Sequence, residues 1–282
     1  MEIVSDPRDM QALSLAWRQQ GQCIAFVPTM GYFHEGHLSL MRYGREQGNR
    51  LVVSLFVNPT QFGPAEDLDR YPRDLERDAS LAREVGVDVL YTPSAAQMYP
   101  EGYQTYVTVE EVSQGLCGAS RPGHFRGVAT VVLKLFNQVL PHLAVFGEKD
   151  YQQLMVIKRM VGDLNLPVEV VGRPIVREAD GLALSSRNTY LNPGERQAAR
   201  CLYLALTWAR DRAASGESDP DRILPEVIRM INSTPHTRLD YAVLVDPDTL
   251  QSVDTIRDSA RLAVAAWVGG TRLIDNMLLE VP

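Results

Sequence analysis

Cysteine is scarce. Only Cys23, Cys117 and Cys201 occur in 282 residues, in no metal-like or disulfide-like spacing. That argues against a disulfide-stapled secreted scaffold and for reduced thiols in a cytoplasm. No stretch approaches the ~18 apolar residues of a membrane helix. The opening MEIVSDPRDM is acidic and lacks a signal-peptide plan. No membrane partner is therefore expected. Positive charge is short as well: 28 Lys and Arg against 35 Asp and Glu leave a net charge of −7. Nucleic-acid binders are usually basic, so none is expected here, and any anionic ligand must be held by local groups. There is no Walker G-x-x-x-x-G-K-[ST] and no H-E-x-x-H zincin pair. Repeats, low-complexity runs and long linkers are lacking too.

What remains is a globular composition, 45% hydrophobic and 22% charged, organised around Cys23–His37, CIAFVPTMGYFHEGH. Cys23–Val27 reads as a buried strand that Pro28 should end, since proline gives no ladder hydrogen bond. Gly31 and Gly36 allow tight turns, and a helix is expected over about 35–47. Strand, turn and helix start together suit phosphate, through free N–H groups and the helix dipole. His34 and His37 are three apart and share a helix face. They read as two structural histidines, as a metal pair, or as imidazoles holding a triphosphate.

Further along, Asp6 or Ser5 caps a first helix with Met10, Leu13 and Trp17 on one face. Leu51–Val57 is an apolar strand of the kind buried in parallel sheets. It runs into Asn58–Gly63, where Asn58 and Gln61 offer amides at a strand's carboxyl end. A helix over 74–85 turns Leu75, Ala79 and Ala82 inward. A strand follows over 87–91, then a loop over 92–104 and a short edge strand over 105–109. Arg121–Gly127, RPGHFRG, is either a solvated basic loop or an anion contact. An amphipathic helix and the strand His142–Phe146 lead into Gly147–Gln153, GEKDYQQ. There Lys149 offers a point charge for phosphate, and Asp150 faces a sugar hydroxyl or magnesium. The next helix turns Leu154, Ile157, Val161 and Leu164 inward before a strand at 168–171.

Alternating strands and helices to about residue 175 predict an α/β, doubly wound parallel-sheet, Rossmann-like domain over 1–175. Asp180-Gly181 signals a hairpin. Leu184-Ser185-Ser186-Arg187 is either a Ser-rich helix approach or a phosphate loop. Asn192, Pro193 and Glu195 start a long helix reaching Ala213. A second helix and three strands then predict a smaller α+β domain over 176–282.

Five motifs stand in order: Pro28–Leu38 (PTMGYFHEGHL), Phe56–Phe62 (FVNPTQF), Arg121–Val128 (RPGHFRGV), Phe146–Leu154 (FGEKDYQQL) and Asp180–Asn188 (DGLALSSRN). With them the chain closely resembles the pantothenate synthetase (pantoate–β-alanine ligase) family, within the H-x-G-H nucleotidyltransferase group. The last ~70 residues match only in general character.

The resemblance implies an AMP-forming ligase that condenses (R)-pantoate with β-alanine at the expense of ATP, through a pantoyl adenylate. It implies ATP contacts from Met30, Gly31, Tyr32, Phe33, His34, Glu35, Gly36 and His37. Gly147, Glu148, Lys149, Asp150, Val176, Leu184, Ser185, Ser186 and Arg187 complete that set. Gln61 matches a residue contacting both pantoate and β-alanine, and Gln153 a pantoate contact; Asn58 and Arg121 join the pantoate set. His37 matches the family's proton donor, and His34, Lys149 and Arg187 complete the catalytic group. Magnesium is implied mainly through the ATP phosphates, with Asp150 a possible ligand, and a cytoplasmic homodimer is implied. Segment 63–73 and the C-terminal domain are the candidates for a closing lid. Tyr32-Phe33 stands where many members have smaller or aliphatic residues, and Leu184 replaces a common Met; neither change removes a polar group. Two rivals are a nucleotidyltransferase acting on another small acid or alcohol, and a non-catalytic nucleotide- or metal-binding module.

Overall fold

A computed structural model describes residues 1–64 and 66–282; Ala65, inside the proposed closing segment 63–73, lies outside the described residues. The chain divides into two compact units. The first comprises Met1–Ser113, Arg121–Glu148 and Gln153–Pro174. The second comprises Gln114–Ser120, Lys149–Gln152 and Ile175–Pro282.

The first unit is built on a six-stranded sheet of parallel pairs, β1 (Glu2–Val4), β2 (Ile24–Thr29), β3 (Arg50–Leu55), β4 (Val89–Tyr91), β5 (Leu143–Gly147) and β6 (Glu169–Arg173). Their order across the sheet is β1-β4-β3-β2-β5-β6. The chain winds outward from β2 in one direction and from β5 in the other, so the strand order reverses between them, where doubly wound sheets bind ligands. Parallel strands covered on both faces must be apolar throughout. Ile24–Val27, Leu51–Val53 and Leu143–Phe146 are accordingly buried.

The helices of the first unit are α1 (Pro7–Gln19), α2 (Glu35–Gln47), α3 (Leu75–Val85), α4 (Ala95–Met98), α6 (His124–Val139) and most of α7 (Tyr151–Asp163), while α5 (Leu116–Ser120) belongs to the second unit. Asp6 caps α1 by accepting the Arg8 N–H, with Pro7 in the first turn.

Several expectations need correction. Pro28 does not end β2, which continues to Thr29 with Pro28 beside Ser54 in register. Pairing of β2 with β5 stops at Ala25–Leu143 and Phe26–Ala144, so by Pro28 that ladder no longer needs an N–H. Residues 105–109 form no strand. Val107 N–H instead donates to Thr130 Oγ1 of α6 at 2.9 Å, and the Arg126 guanidinium lies over the Tyr106 ring. Leu75 and Leu164 are exposed rather than inward, and Asp78 is buried on α3 instead. The loop after β4 contains α4, a single helical turn closed by a Ser94–Gln97 capping box. The three-residue β1, paired with β4, is too short to carry a sequence pattern.

In the second unit a three-stranded antiparallel sheet, β7 (Thr237–Val245), β8 (Ser259–Val268) and β9 (Thr271–Glu280), packs with α8 (Pro193–Ala199), α9 (Cys201–Ala214) and α10 (Pro220–Asn232). The anticipated long helix is interrupted at Arg200. There the backbone stays right-handed with ψ −21°, a tightened turn between α8 and α9. Leu202, Leu206, Ile223, Val227, Leu262 and Val264 form its core.

Candidate active site

The turn between β2 and α2 carries the histidines. Gly31 has φ 87° and Tyr32 φ 55°, a left-handed pair that points successive N–H groups to one side. Such a concavity binds anions. Here the anion is internal: Asp78 of α3 accepts the Tyr32 N–H at 2.6 Å and the Phe33 N–H at 2.7 Å. Burial pushes the Asp78 carboxyl up, against the two backbone hydrogen bonds and the Arg77 charge that favour its ionised form. Arg77 adds a bond to Phe33 O at 2.8 Å and lies over the Tyr32 ring. The turn's N–H groups at 32 and 33 are thus committed to Asp78 and are not open to phosphate.

The clamp sets the entry to α2. His34 is its N-cap with extended backbone, and His37 Nδ1 accepts the His34 N–H at 3.3 Å. The two imidazoles lie 4.0 Å apart between ring centroids. Fully buried Phe33 packs on His37. Glu35 pairs with Arg42 on the outer face. Met30 is half-buried, with its sulfur 3.4 Å from Gln61 Nε2.

Asn58 and Gln61 meet beyond β3, in the 3-10 turn Pro59–Gln61. Asn58 is 1% exposed. Its Nδ2 donates to Gln61 Oε1 at 3.0 Å and to Gly127 O at 3.2 Å, and its Oδ1 accepts from Thr60 and Tyr99. With both amide hydrogens used inside the protein, Asn58 has no donor left for pantoate in this arrangement. Arg121 forks onto Glu66, at 2.7 and 2.6 Å, and reaches Gln61 O at 3.3 Å. His124 Nδ1 lies 2.8 Å from the same carbonyl; a carbonyl only accepts, so Nδ1 carries the proton. Of RPGHFRG, Arg121–Gly123 form a turn exposed at Pro122 and Gly123, and His124–Gly127 form the first turn of α6. The helix approaches so closely that a Cβ on Gly127 would stand 2.6 Å from Thr60 C and 2.8 Å from Gln61 Cα. Gly147 closes β5, Glu148 follows it, and Gln153 is half-buried in the first turn of α7.

In the second unit, Lys149 Nζ lies 3.5 Å from Asp150. Asn276 Nδ2 donates to Lys149 O at 3.0 Å, fixing that backbone from β9. Its neighbour Asp275 is buried and receives a two-pronged bond from Arg177, at 2.6 and 2.9 Å. Val176 and Leu184 face each other across a hairpin, Leu184 N–H to Val176 O at 3.0 Å, closed at Asp180-Gly181 with Gly181 at φ 94°. Ser185 caps a 3-10 turn, Ser186–Tyr190, by accepting the Arg187 N–H. Asn188 ties it to Ala183 O and Glu178. The LSSR stretch is thus a hairpin arm followed by a capped turn.

Asp78, Tyr99, Glu66 and Asn276 escaped the sequence reading. Only Asp78 left a signal, a charged residue four before Ala82 on the face that also holds Ala79.

A family model described as pantoate-beta-alanine ligase matches residues 2–278. The chain belongs to the pantoate–β-alanine ligase family. A pantothenate synthetase of Syntrophus aciditrophicus is 59% identical over 276 residues, 98% of this chain and 96% of the relative. The crystal structure of the Thermus thermophilus pantothenate synthetase superposes with a TM-score of 0.93 at 49% identity, covering 98% of this chain and 99% of that one. That of the Francisella tularensis pantoate-beta-alanine ligase, complexed with beta-gamma ATP and beta-alanine, gives 0.81 at 33% identity, covering 99% and 97%. Fold and sequence together make this chain a full-length match to the pantoate–β-alanine ligases.

Proposed function

We propose that this ligase joins (R)-pantoate to β-alanine in two steps at the residues its motifs carry. The carboxylate of pantoate attacks the α-phosphorus of ATP, the bond to the pyrophosphate oxygen breaks, and a pantoyl adenylate forms. The neutral amine of β-alanine then attacks the acyl carbon, and AMP leaves with the bonding electron pair. The observation that carries this reading is the close His34–His37 pair at the start of α2, reached from the carboxyl end of β2 beside the strand-order reversal.

Two anions must meet in the first step, so charge has to be neutralised before the barrier falls. His34 and His37 are assigned to the phosphates from α2, with His37 as donor to the departing pyrophosphate. Lys149 and Arg187 are assigned to phosphate from the second unit, and Leu184 to the adenine. Gln61 orients pantoate and β-alanine, and Gln153 orients pantoate. Among the described residues no group of three or more His, Cys, Asp or Glu could hold a metal. Magnesium is assigned mainly to the triphosphate oxygens, with Asp150 as its protein carboxylate. Bound there, the ion would screen phosphate charge. Most of the acceleration comes from positioning and electrostatics. The mixed anhydride must be shielded from water, the task assigned to segment 63–73 and to residues 176–282. No described helix is long and apolar enough to cross a membrane, and a cytoplasmic homodimer completes the proposal.

The test is release of AMP and pyrophosphate from ATP, Mg²⁺ and pantoate, with and without β-alanine. Sustained AMP release that needs β-alanine supports the two-step ligase. Pyrophosphate release that needs no amine and yields no AMP would favour a nucleotidyltransferase acting on another small acid or alcohol, and AMP release indifferent to β-alanine, or no release at all, would overturn the assignment.

A further inference from the structure

We propose that Tyr99 is a positioning residue for the substrate amide of Gln61, acting through Asn58. The inference rests on the assignment of Gln61 to pantoate and β-alanine made above.

The orientation of Asn58 follows from its backbone partners. The Thr60 N–H can only donate, so the atom 3.3 Å from it is the oxygen Oδ1; the Gly127 carbonyl can only accept, so the atom 3.2 Å from it is Nδ2. The second hydrogen on Nδ2 then goes to Gln61, which makes the atom 3.0 Å away Oε1. Gln61 is left with its Nε2 hydrogens against the weak acceptor Met30 Sδ. It therefore offers donors, which match a carboxylate or a hydroxyl oxygen. A rotated Asn58 would reverse Gln61 as well and present a carbonyl oxygen to an anionic acid.

The Thr60 N–H and the Gly127 carbonyl set that orientation, and the Tyr99 hydroxyl strengthens it and holds the Asn58 side chain in place. It donates to Oδ1 at 2.8 Å, beside the Thr60 hydroxyl, which donates to the same atom at 2.9 Å. Burial pushes the Tyr99 phenol up to about 12, so it stays protonated and remains a donor. Its ring is fixed independently, against the rings of Phe56 and Tyr103 and under Lys134. The hydroxyl can thus be removed without removing the packing.

The decisive variant is Tyr99→Phe, measured beside Gln61→Ala with ATP and pantoate varied in turn. Loss of one buried hydrogen bond to a positioned amide predicts an approximately tenfold rise in KM for pantoate, with KM for ATP within about twofold of wild type. A second variant, Asn58→Asp, replaces Nδ2 by an oxygen that faces Gln61 Oε1, and the same split is expected. If Gln61→Ala raises the pantoate KM while Tyr99→Phe leaves it unchanged, the relay is wrong and the role of Gln61 stands. If Gln61→Ala leaves it unchanged, the assignment of Gln61 fails and the relay with it. A parallel rise in both KM values for Tyr99→Phe would mean general loosening and would also overturn the proposal.

Discussion

The Asp78 carboxylate is seated against the backbone of Tyr32, taking its N–H at 2.6 Å and the next one, of Phe33, at 2.7 Å. Tyr32 has a left-handed backbone, φ 55°, which costs a non-glycine residue about 1 kcal/mol or more. Hydrogen bonds to a charged group are worth about 1.5–3 kcal/mol each, so two of them outweigh the strain. A turn shaped for an anion is held by an internal one, and that hold fixes where α2 begins and how His34 and His37 meet.

Replacing Asp78 by Ala leaves two N–H groups without an acceptor. At about 1–3 kcal/mol for each unmet group, the variant should lose at least about 2 kcal/mol of stability. Its adenylate formation should fall even at temperatures where it is folded. Urea denaturation with single-turnover kinetics checks both; wild-type values in both would dismiss the clamp.

His37→Ala should slow single-turnover adenylate formation by roughly 10² or more, the usual result of removing one transition-state donor. An unchanged rate would remove His37 from the chemistry.

Gly127→Ala forces a methyl group into the backbone of Thr60 and Gln61. Overpacking of this kind costs typically about 1–3 kcal/mol. Backbone cannot swing aside as a side chain can, so the shift falls on Gln61 and pantoate binding should weaken. Calorimetric titration of pantoate reads the effect, and equal affinities would contradict it.

Burial opposes ionisation of Glu66, but the hydrogen bond and charge of Arg121 outweigh it and hold the carboxyl below its ordinary 4.5. A depressed folded value means that the pair stabilises the protein above about pH 4.5 and that this contribution is lost as pH falls through the lowered value. The stability gap between wild type and Glu66→Gln should therefore shrink below about pH 4.5. A gap constant from about pH 7 to about pH 3 would show that the pair does not contribute.

Asp275→Ala strands the Arg177 guanidinium beside β9. Breaking one side of a buried pair costs about 3–5 kcal/mol, and thermal unfolding should show a large drop in Tm. A drop of only a degree or two would mean that solvent reaches Arg177 freely.

The apolar runs Ile24–Val27, Leu51–Val53 and Leu143–Phe146 were legible as parallel strands because burial on both faces leaves no polar alternation. The hairpin at Asp180-Gly181 and the capping box at Asn192 and Glu195 were legible because their chemistry is local. Pro28 misled because the need for a ladder N–H depends on which neighbour the strand has at that point. Residues 105–109 misled because their partner is a helix, α6, rather than a sheet edge. The motifs named Asn58 and Arg121 as ligand contacts, but only coordinates reveal that the first spends both amide hydrogens internally and the second is forked onto Glu66. Asp78 and Tyr99 act across 46 and 41 residues of sequence, and no spacing rule reaches that far.

The early end of the β2–β5 ladder has a consequence for what binding must cost. Both strands run on past Phe26 and Ala144 without pairing to each other, and Pro28 cannot restore the missing bonds. The two strands are therefore not laddered to each other at their carboxyl ends. A ligand entering there separates no strands and breaks no backbone hydrogen bonds, so its interaction energy remains available for orienting the reacting groups.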